Sequence, residues 1–406
     1  MQQLNVQGRI NLLSKIDVSE NAFIELAKDP EWAVRSSVAA HSRVPSSILS
    51  ALASDDVVWV RTEAAGHPST PESILEQLSK DNEHSVRAVV AGNQLTPSHV
   101  LSVLATDAHW LVRKKAALNS NTPQEAQEAL VSDPHEDVRR SLSVNPSCSG
   151  RTLDALSRDE SIDVRMYVAE HPNCLPTTLD YLATVHNSAV QLRITRHGNT
   201  TSKGLALLAR ATEDSIRIGV SIHQATDGPT LSYLAQDESE LIRKYVAEHL
   251  STPPETLGSL ASSASETIRA QVATNSSTPQ EVMRKLVNDT PQVQINVAMN
   301  PTASIDILLT LIILCKDTKP IISNFAKENL NNKTSDYWQA NVLNGLSLDT
   351  SFECDGNTST LGDKLLNENL FDVYQTIQSV ELSIKIDNRR FEISSTANER
   401  RNNLSL

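Results

Sequence analysis

From residue 28 onward the apolar positions of this chain come round in a fixed measure. Val34, Val38 and Ala39 stand at i, i+4 and i+5, the spacing of a helix that buries one face. The dipeptide Val34-Arg35 then returns as Val60-Arg61, Val86-Arg87, Val112-Arg113, Val138-Arg139 and Val164-Arg165, always 26 residues on. The step passes through Gln191 and resumes at Arg217, Arg243 and Arg269. A fixed period of this length predicts a solenoid of stacked repeats. Within each copy the first helix ends at a His or Asn six residues after the Arg. A second, shorter helix follows, usually entered through Pro (Pro45, Pro71, Pro97, Pro123, Pro253, Pro279), with Leu residues three apart from Leu49/Leu52 to Leu257/Leu260. That spacing suits a short α-helix or a 3₁₀ turn equally well.

Six residues before each Arg the chain usually carries Asp, which predicts a helix N-cap whose carboxylate takes free backbone N–H groups at the positive end of the helix dipole. Pro30 and Pro134 then fall at the first helical position, where a missing N–H costs nothing. The opening copy is incomplete: Arg9 lies one period before Arg35 with no Asp-led start, so residues 1–27 are expected to cap the array. The copies around Gln191 and Gln294 have lost both Arg and Asp, with Val185 and Asn288 in the Asp place. A last degenerate copy at Ile322 to Ala326 takes the array, residues 28–331, to its end. In the remainder, residues 332–395, Ser351 to Thr360 reads as a loop and Leu361 to Gln378 as a helix. Val380, Leu382, Ile384 and Ile386 alternate with polar residues, and Phe391 and Ile393 resume after Asp387-Asn388-Arg389-Arg390, which predicts a β-hairpin. Residues 396–406 are expected to be a disordered tail.

The repeat Asp-x4-Val-Arg-x2-Val-Ala-x-(His/Asn), followed by Pro-x3-Leu-x2-Leu-Ala, resembles the leucine-rich repeat variant family. The resemblance implies an all-α, right-handed superhelical solenoid of about eleven or twelve two-helix repeats, here with a small C-terminal α/β appendage. The Asp-to-Arg spacing also looks like the ladder pair of HEAT repeats, while the Leu-x-Leu strand segment of ordinary leucine-rich repeats is absent. The founding variant protein carries an N-terminal cysteine cluster for an iron–sulfur centre; this chain has no cysteine before Cys148, so that cofactor is not implied and none is expected.

With aromatics at only 4%, the core must be aliphatic, and a formal charge of −13 argues against a protein built to grip phosphate backbones. Four cysteines without CxxC pairing suit a reducing compartment, and the start Met1-Gln2-Gln3-Leu4-Asn5 lacks signal-peptide character, so the expected setting is a bacterial cytoplasm. Cys148 and Cys174, one period apart, are expected to be free, partly buried thiols. The longest apolar run, Ile305 to Cys315, is too short to cross a bilayer.

Candidate chemistry lies in columns. Asp29/Arg35, Asp55/Arg61, Asp81/Arg87, Asp107/Arg113, Asp133/Arg139, Asp159/Arg165 and Asp237/Arg243 are kept together, and the pair is lost together at Val185/Gln191 and Asn288/Gln294. Joint retention points to a structural ladder between neighbouring repeats rather than a row of free guanidinium groups. The His/Asn column (His41, His67, Asn93 and onward) suggests a helix-end position with φ above zero, and its spacing is far too wide for zinc. For partner contact the residues to back are Trp32, Trp59 and Trp110 at the starts of first helices, with Lys114, Lys115 and Arg140 as an outward basic patch. No P-loop, GxGxxG, GxSxG or HExxH motif appears. The expected function is a non-catalytic scaffold that holds a protein partner along the solenoid surface. The alternative is nucleic-acid binding, or a HEAT-like DNA glycosylase, along the basic mid-array patch.

Overall fold

The computed structural model describes residues 4–14, 18–354 and 357–403. The chain forms two compact units, Met1–Ile216 and Arg217–Leu406, each built from stacked helices. It is a helical repeat solenoid with one small strand pair near its C-terminus.

First helices of seven to nine residues, such as Trp32–Ala39, Val58–Gly66, His84–Gly92 and Trp110–Leu118, alternate with second helices such as Ser46–Leu52, Glu72–Leu78 and Ser98–Leu104. Helices this short are not stable alone in water, so packing between repeats holds them. The buried face is the Val/Val-or-Ala/Ala stripe: Val34, Val38, Ala39, Val60, Ala64 and Ala65 are all fully buried, and the Leu pairs of the second helices close the layer behind them. Small side chains in this stripe let consecutive first helices lie close. The second helices are α rather than 3₁₀, with Leu49 N bonded to Pro45 O at 3.1 Å, and the entering Pro stands at the N-cap.

Two local expectations are corrected. The Asp of each repeat is not the N-cap. Its Oδ1 accepts the N–H two residues on, at 2.8–2.9 Å (Glu31, Val57, Glu83, His109, His135, Ser161, Ser239), which closes an Asx turn one step before the helix. The N-caps are Glu31, Val57, Glu83 and their equivalents, so Pro30 and Pro134 precede the cap instead of opening the helix. Nor does the His/Asn column have positive φ; His67, Asn93, Asn119 and His171 sit at φ −69 to −74° with ψ near 130°.

That column does other work. Asn119 Nδ2 donates to Ala91 O at 2.8 Å and Asn93 O at 2.9 Å in the preceding repeat, while its Oδ1 accepts the N–H of Asn121 at 2.9 Å. Histidine reproduces both ends: the Nε2 of His171 bonds Asn145 O at 2.9 Å and its Nδ1 accepts from Asn173 N at 3.1 Å. Asn and His alternate because each offers a donor and an acceptor at this separation. A third column lies three residues further on. Thr70, Thr96, Thr122, Thr200, Thr226, Thr252 and Thr278 donate to the carbonyl six residues back, at the end of the first helix. Cys148 and Cys174 occupy the same place and are fully, not partly, buried. Burial pushes both thiols up to about 12, which keeps them protonated and inert.

Beyond the array the order differs from the sequence reading. The strand pair is Ser351–Cys354 with Asn357–Thr360, antiparallel, Phe352 opposite Ser359. The expected hairpin over 380–393 is instead helix: one helix runs Phe371–Asn403, through the stretch taken as a tail, with residues 404–406 outside the described residues. The alternating residues conceal helical spacing, since Val373, Ile377, Val380 and Ile384 are four, three and four apart, and Val373 and Ile377 are buried. Asp387-Asn388-Arg389-Arg390 holds no Gly, and Asp and Asn tolerate positive φ without requiring it, so nothing forces a turn.

Asn119→Ala should destabilise the protein by roughly 3 kcal/mol, the upper end for buried groups left unsatisfied, whereas Asn119→His should cost less than half of that. Urea unfolding followed by far-ultraviolet circular dichroism measures both.

Candidate interaction surface and its ladders

The arginine column forms rungs with the Asp 20 residues ahead, in the next repeat. Eight rungs are made, each with Nε within 2.6–2.7 Å of a carboxylate oxygen: Arg9–Asp29, Arg35–Asp55, Arg61–Asp81, Arg87–Asp107, Arg113–Asp133, Arg139–Asp159, Arg217–Asp237 and Arg269–Asp289. Nη2 takes the second oxygen, as in Arg113 to Asp133 at 3.0 Å, giving a two-point fork. Nη1 turns back to the repeat's own Asp, donating to the Asp29 carbonyl from Arg35 at 2.8 Å and to the Asp133 carbonyl from Arg139 at 2.8 Å. One planar group thereby fastens two repeats, and lysine, with a single ammonium, does not do this.

Burial pushes the carboxyls of Asp55, Asp81, Asp107, Asp133 and Asp237 up, but the guanidinium bond and the backbone N–H together outweigh it and hold each below the ordinary 3.8. At Asp289 the Arg269 bond is itself the largest influence, and the carboxyl again lies low. Two rungs were not visible in the pairing of Asp with Arg inside one repeat. Arg217 finds Asp237 and Arg269 finds Asp289, which keeps the 26-residue step and lies one residue beyond the Asn288 reached by counting six back from Gln294. Arg9 extends the ladder back into the residues expected to form the cap.

A further column joins the starts of the first helices. The rings of His84 and His109 stack at 3.8 Å, and Trp110 lies on His135 at 4.2 Å with planes 5° apart. Loss of water, and then the neighbouring His84, push His109 below its ordinary 6.5. In later repeats a hydroxyl–carboxylate bond takes over: Ser161 donates to Glu136 at 2.6 Å, Ser188 to Glu213, and Thr290 to Glu266 at 2.8 Å. The shift from aromatic to acidic along this column is a change in how repeats are joined.

The backed contact residues separate on this frame. Trp110 is half-buried in its stack, with Lys114 Nζ 5.6 Å from the ring centroid. Trp32 and Trp59, on neighbouring first helices, are 46% and 65% exposed. Lys114 and Arg140 converge on one carboxylate, Asp137, Lys114 at 3.8 Å and Arg140 by a direct bond. Lys115 stands apart and exposed, its stem beside Gly92. The three cations therefore do not make one uncompensated patch. In the second unit, a hollow of about 420 Å³ is lined by Ile222, Tyr245, Glu248 and Leu250 beside the column residue His249, with Ile222 and Leu250 largely exposed; those four positions vary from repeat to repeat, so the period gives no signal there. Among the described residues no group of three or more His, Cys, Asp or Glu is arranged to hold a metal ion. No helix among them is long and apolar enough to cross a membrane.

Alternating helices, a 26-residue step and rungs between successive repeats decide the architecture. The chain is a helical repeat solenoid similar to the leucine-rich repeat variant. The solved structure described as a leucine-rich repeat variant with a novel repetitive protein structural motif aligns at 21% identity and a TM-score of 0.39, over 54% of this chain and 87% of that one. A structure of Kap95p with RanGDP aligns at 10% identity and a TM-score of 0.36, over 93% of this chain and 60% of that one. An engineered protein aligns at 18% identity and a TM-score of 0.22, over 81% of this solenoid and 99% of that chain. No family model and no curated protein matches.

Charge reversal by Arg139→Asp should lower stability by about 3–5 kcal/mol, because it strands the nearly buried Asp159 and adds repulsion. An unchanged melting temperature in calorimetry would remove the rung's structural role. The acid limit has a definite sign: carboxyls held low in the fold contribute fully above 3.8, and that contribution is lost as pH falls below it through their depressed values. Circular dichroism against pH should therefore show the solenoid intact at pH 5 and unfolding below about 4.

Proposed function

We propose that this solenoid is a scaffold that binds a protein partner along its surface, with Trp32 and Trp59 as the principal anchors. The carrying observation is the contrast among the tryptophans. Trp110 is stacked within the fold, whereas the two N-terminal indoles present 46% and 65% of their surface to water on neighbouring helices. An indole held by a short, packed helix loses little freedom on binding, which is the condition for a hot spot. Trp110, Lys114 and Lys115, two repeats beyond Trp59, and Arg140, three repeats beyond it, serve as secondary contacts. The repeated Asp, Arg, His and Asn side chains are engaged by hydrogen bonds within the fold, which leaves the variable columns to supply specificity. The convergence of Lys114 and Arg140 on Asp137, with a net charge of −13, weighs against a phosphate-backbone groove. A bacterial cytoplasmic setting fits the cysteine usage.

The test is capture from a host lysate with the intact protein and with a Trp32/Trp59/Trp110 triple alanine variant. Partners retained by the first should be lost by the second, with circular dichroism showing both folded. Recovery of the same partners by a folded triple variant would place the contact surface elsewhere.

A further inference from the structure

Two arginines of the ladder face a place where no carboxylate stands. Twenty residues beyond Arg165 the chain carries Val185, and twenty beyond Arg243 it carries Ser263. At Arg165, Nη1 keeps its bond to Asp159 O at 2.7 Å, while the buried Nε has no acceptor among the described residues. Val185, branched and apolar, stands in the carboxylate's place in the sequence, and the Nε of Arg165 is shielded from solvent there.

Arg243 is different. Its Nη1 donates to the carbonyls of Asp237 and Glu238, the latter at 2.8 Å, the same two offsets that hold Arg35 through Asp29 and Pro30. The guanidinium is thus fixed in the pose of an intact rung. In Arg217 and Arg269 the Nε–Nη2 edge takes both oxygens of Asp237 and Asp289, at 2.7–3.2 Å. Ser263 supplies only the turn: its Oγ accepts the N–H of Ser265 at 3.2 Å, and the side chain is too short to carry a carboxylate to the fork. Arg243 and Ser263 are both half-buried, so the rung borders solvent. The carboxylates nearby are taken, Asp237 by Arg217 and Glu240 by the hydroxyls of Ser265 and Thr267.

We propose that Arg243 is a receptor for a single carboxylate, an Asp or Glu side chain presented by a bound acidic peptide, which completes the open rung over Ser263. The ligand's chemistry is written in the chain itself, which fills the equivalent fork with an aspartate eight times. This site rests on the scaffold reading for its use and names the kind of side chain the partner brings.

The experiment follows the Arg Nε–H resonances of the full-length protein by NMR during titration with an acetylated, amidated hexaglutamate peptide. The Arg243 signal should shift saturably and that of Arg165 should not. In Ser263→Asp, where an internal carboxylate closes the rung, apparent affinity should fall at least about tenfold. Arg243→Gln, read by anisotropy of a labelled peptide, should lose the same binding and serves if Ser263→Asp does not fold. Equal shifts in Ser263→Asp, no saturable shift, or an equal response to acetate at matched carboxylate concentration would each overturn the assignment. Its failure stays distinct from failure of the scaffold reading: the titration can fail while the lysate capture still recovers partners, and the converse.

Discussion

One guanidinium shared between two repeats is the contact on which this protein depends. The first helices have seven to nine residues and the second mostly seven, lengths at which the cost of nucleating a helix exceeds what its own hydrogen bonds return. Each repeat therefore exists only against its neighbours. The aliphatic stripe supplies cohesion without direction, since Val and Ala slide over Val and Ala at little cost. Direction comes from Arg, whose fork accepts one position of the next Asp and whose remaining nitrogen grips its own turn.

The other columns repeat that logic with different chemistry. An Asn or His at the end of the first helix reaches back one repeat, a Thr closes the helix end within its own repeat, and a ring stack or hydroxyl–carboxylate bond joins the helix starts. Every buried backbone group exposed by a short helix must find a partner, and a solenoid exposes such groups at each turn. Columns of the same side chain are the economical answer, because one solution serves at each step. Substitution inside a column is tolerated where the replacement does the same job, as His does for Asn. It is also tolerated where the group can be buried without a strong bond, as Cys148 and Cys174 are in the threonine place.

Most of the architecture is legible in the residues because a 26-residue period admits few alternatives. Val34, Val38 and Ala39 announce the buried face, and the Asp and Arg columns stand out by eye. What cannot be read is which Asp an Arg meets, since the fork spans repeats: Arg217 looks partnerless within its own copy and is fully paired across it. The cap was misread by two residues because an Asp before a helix can close an Asx turn as readily as cap, and the waiting guanidinium decides between them. Beyond residue 331 the period is gone and the reading weakens with it. Period-two alternation at Val380 to Ile386 also contains i, i+4 pairs, and the buried Ile377 upstream settles the matter for helix. The strand pair, Ser351–Cys354 with Asn357–Thr360, is short and of modest hydrophobicity, which is why its residues read as a loop.

The breaks in the ladder carry a different kind of information from its rungs. Rungs are lost at Val185 and Ser263, yet the two losses are not equivalent. A valine in the carboxylate's place leaves the buried Nε of Arg165 with no acceptor among the described residues, so that arginine is held by its Nη1 bond to Asp159 O. A serine keeps the turn but abandons the fork, so the Nε–Nη2 edge of Arg243 meets no carboxylate of the rung among the described residues. An array in which neighbours interact only pairwise can accept such a gap, because the loss is confined to one interface. The contacts proposed at Trp32, Trp59 and Arg243 therefore fall at a gap and in variable columns, where a partner would leave the rungs themselves intact.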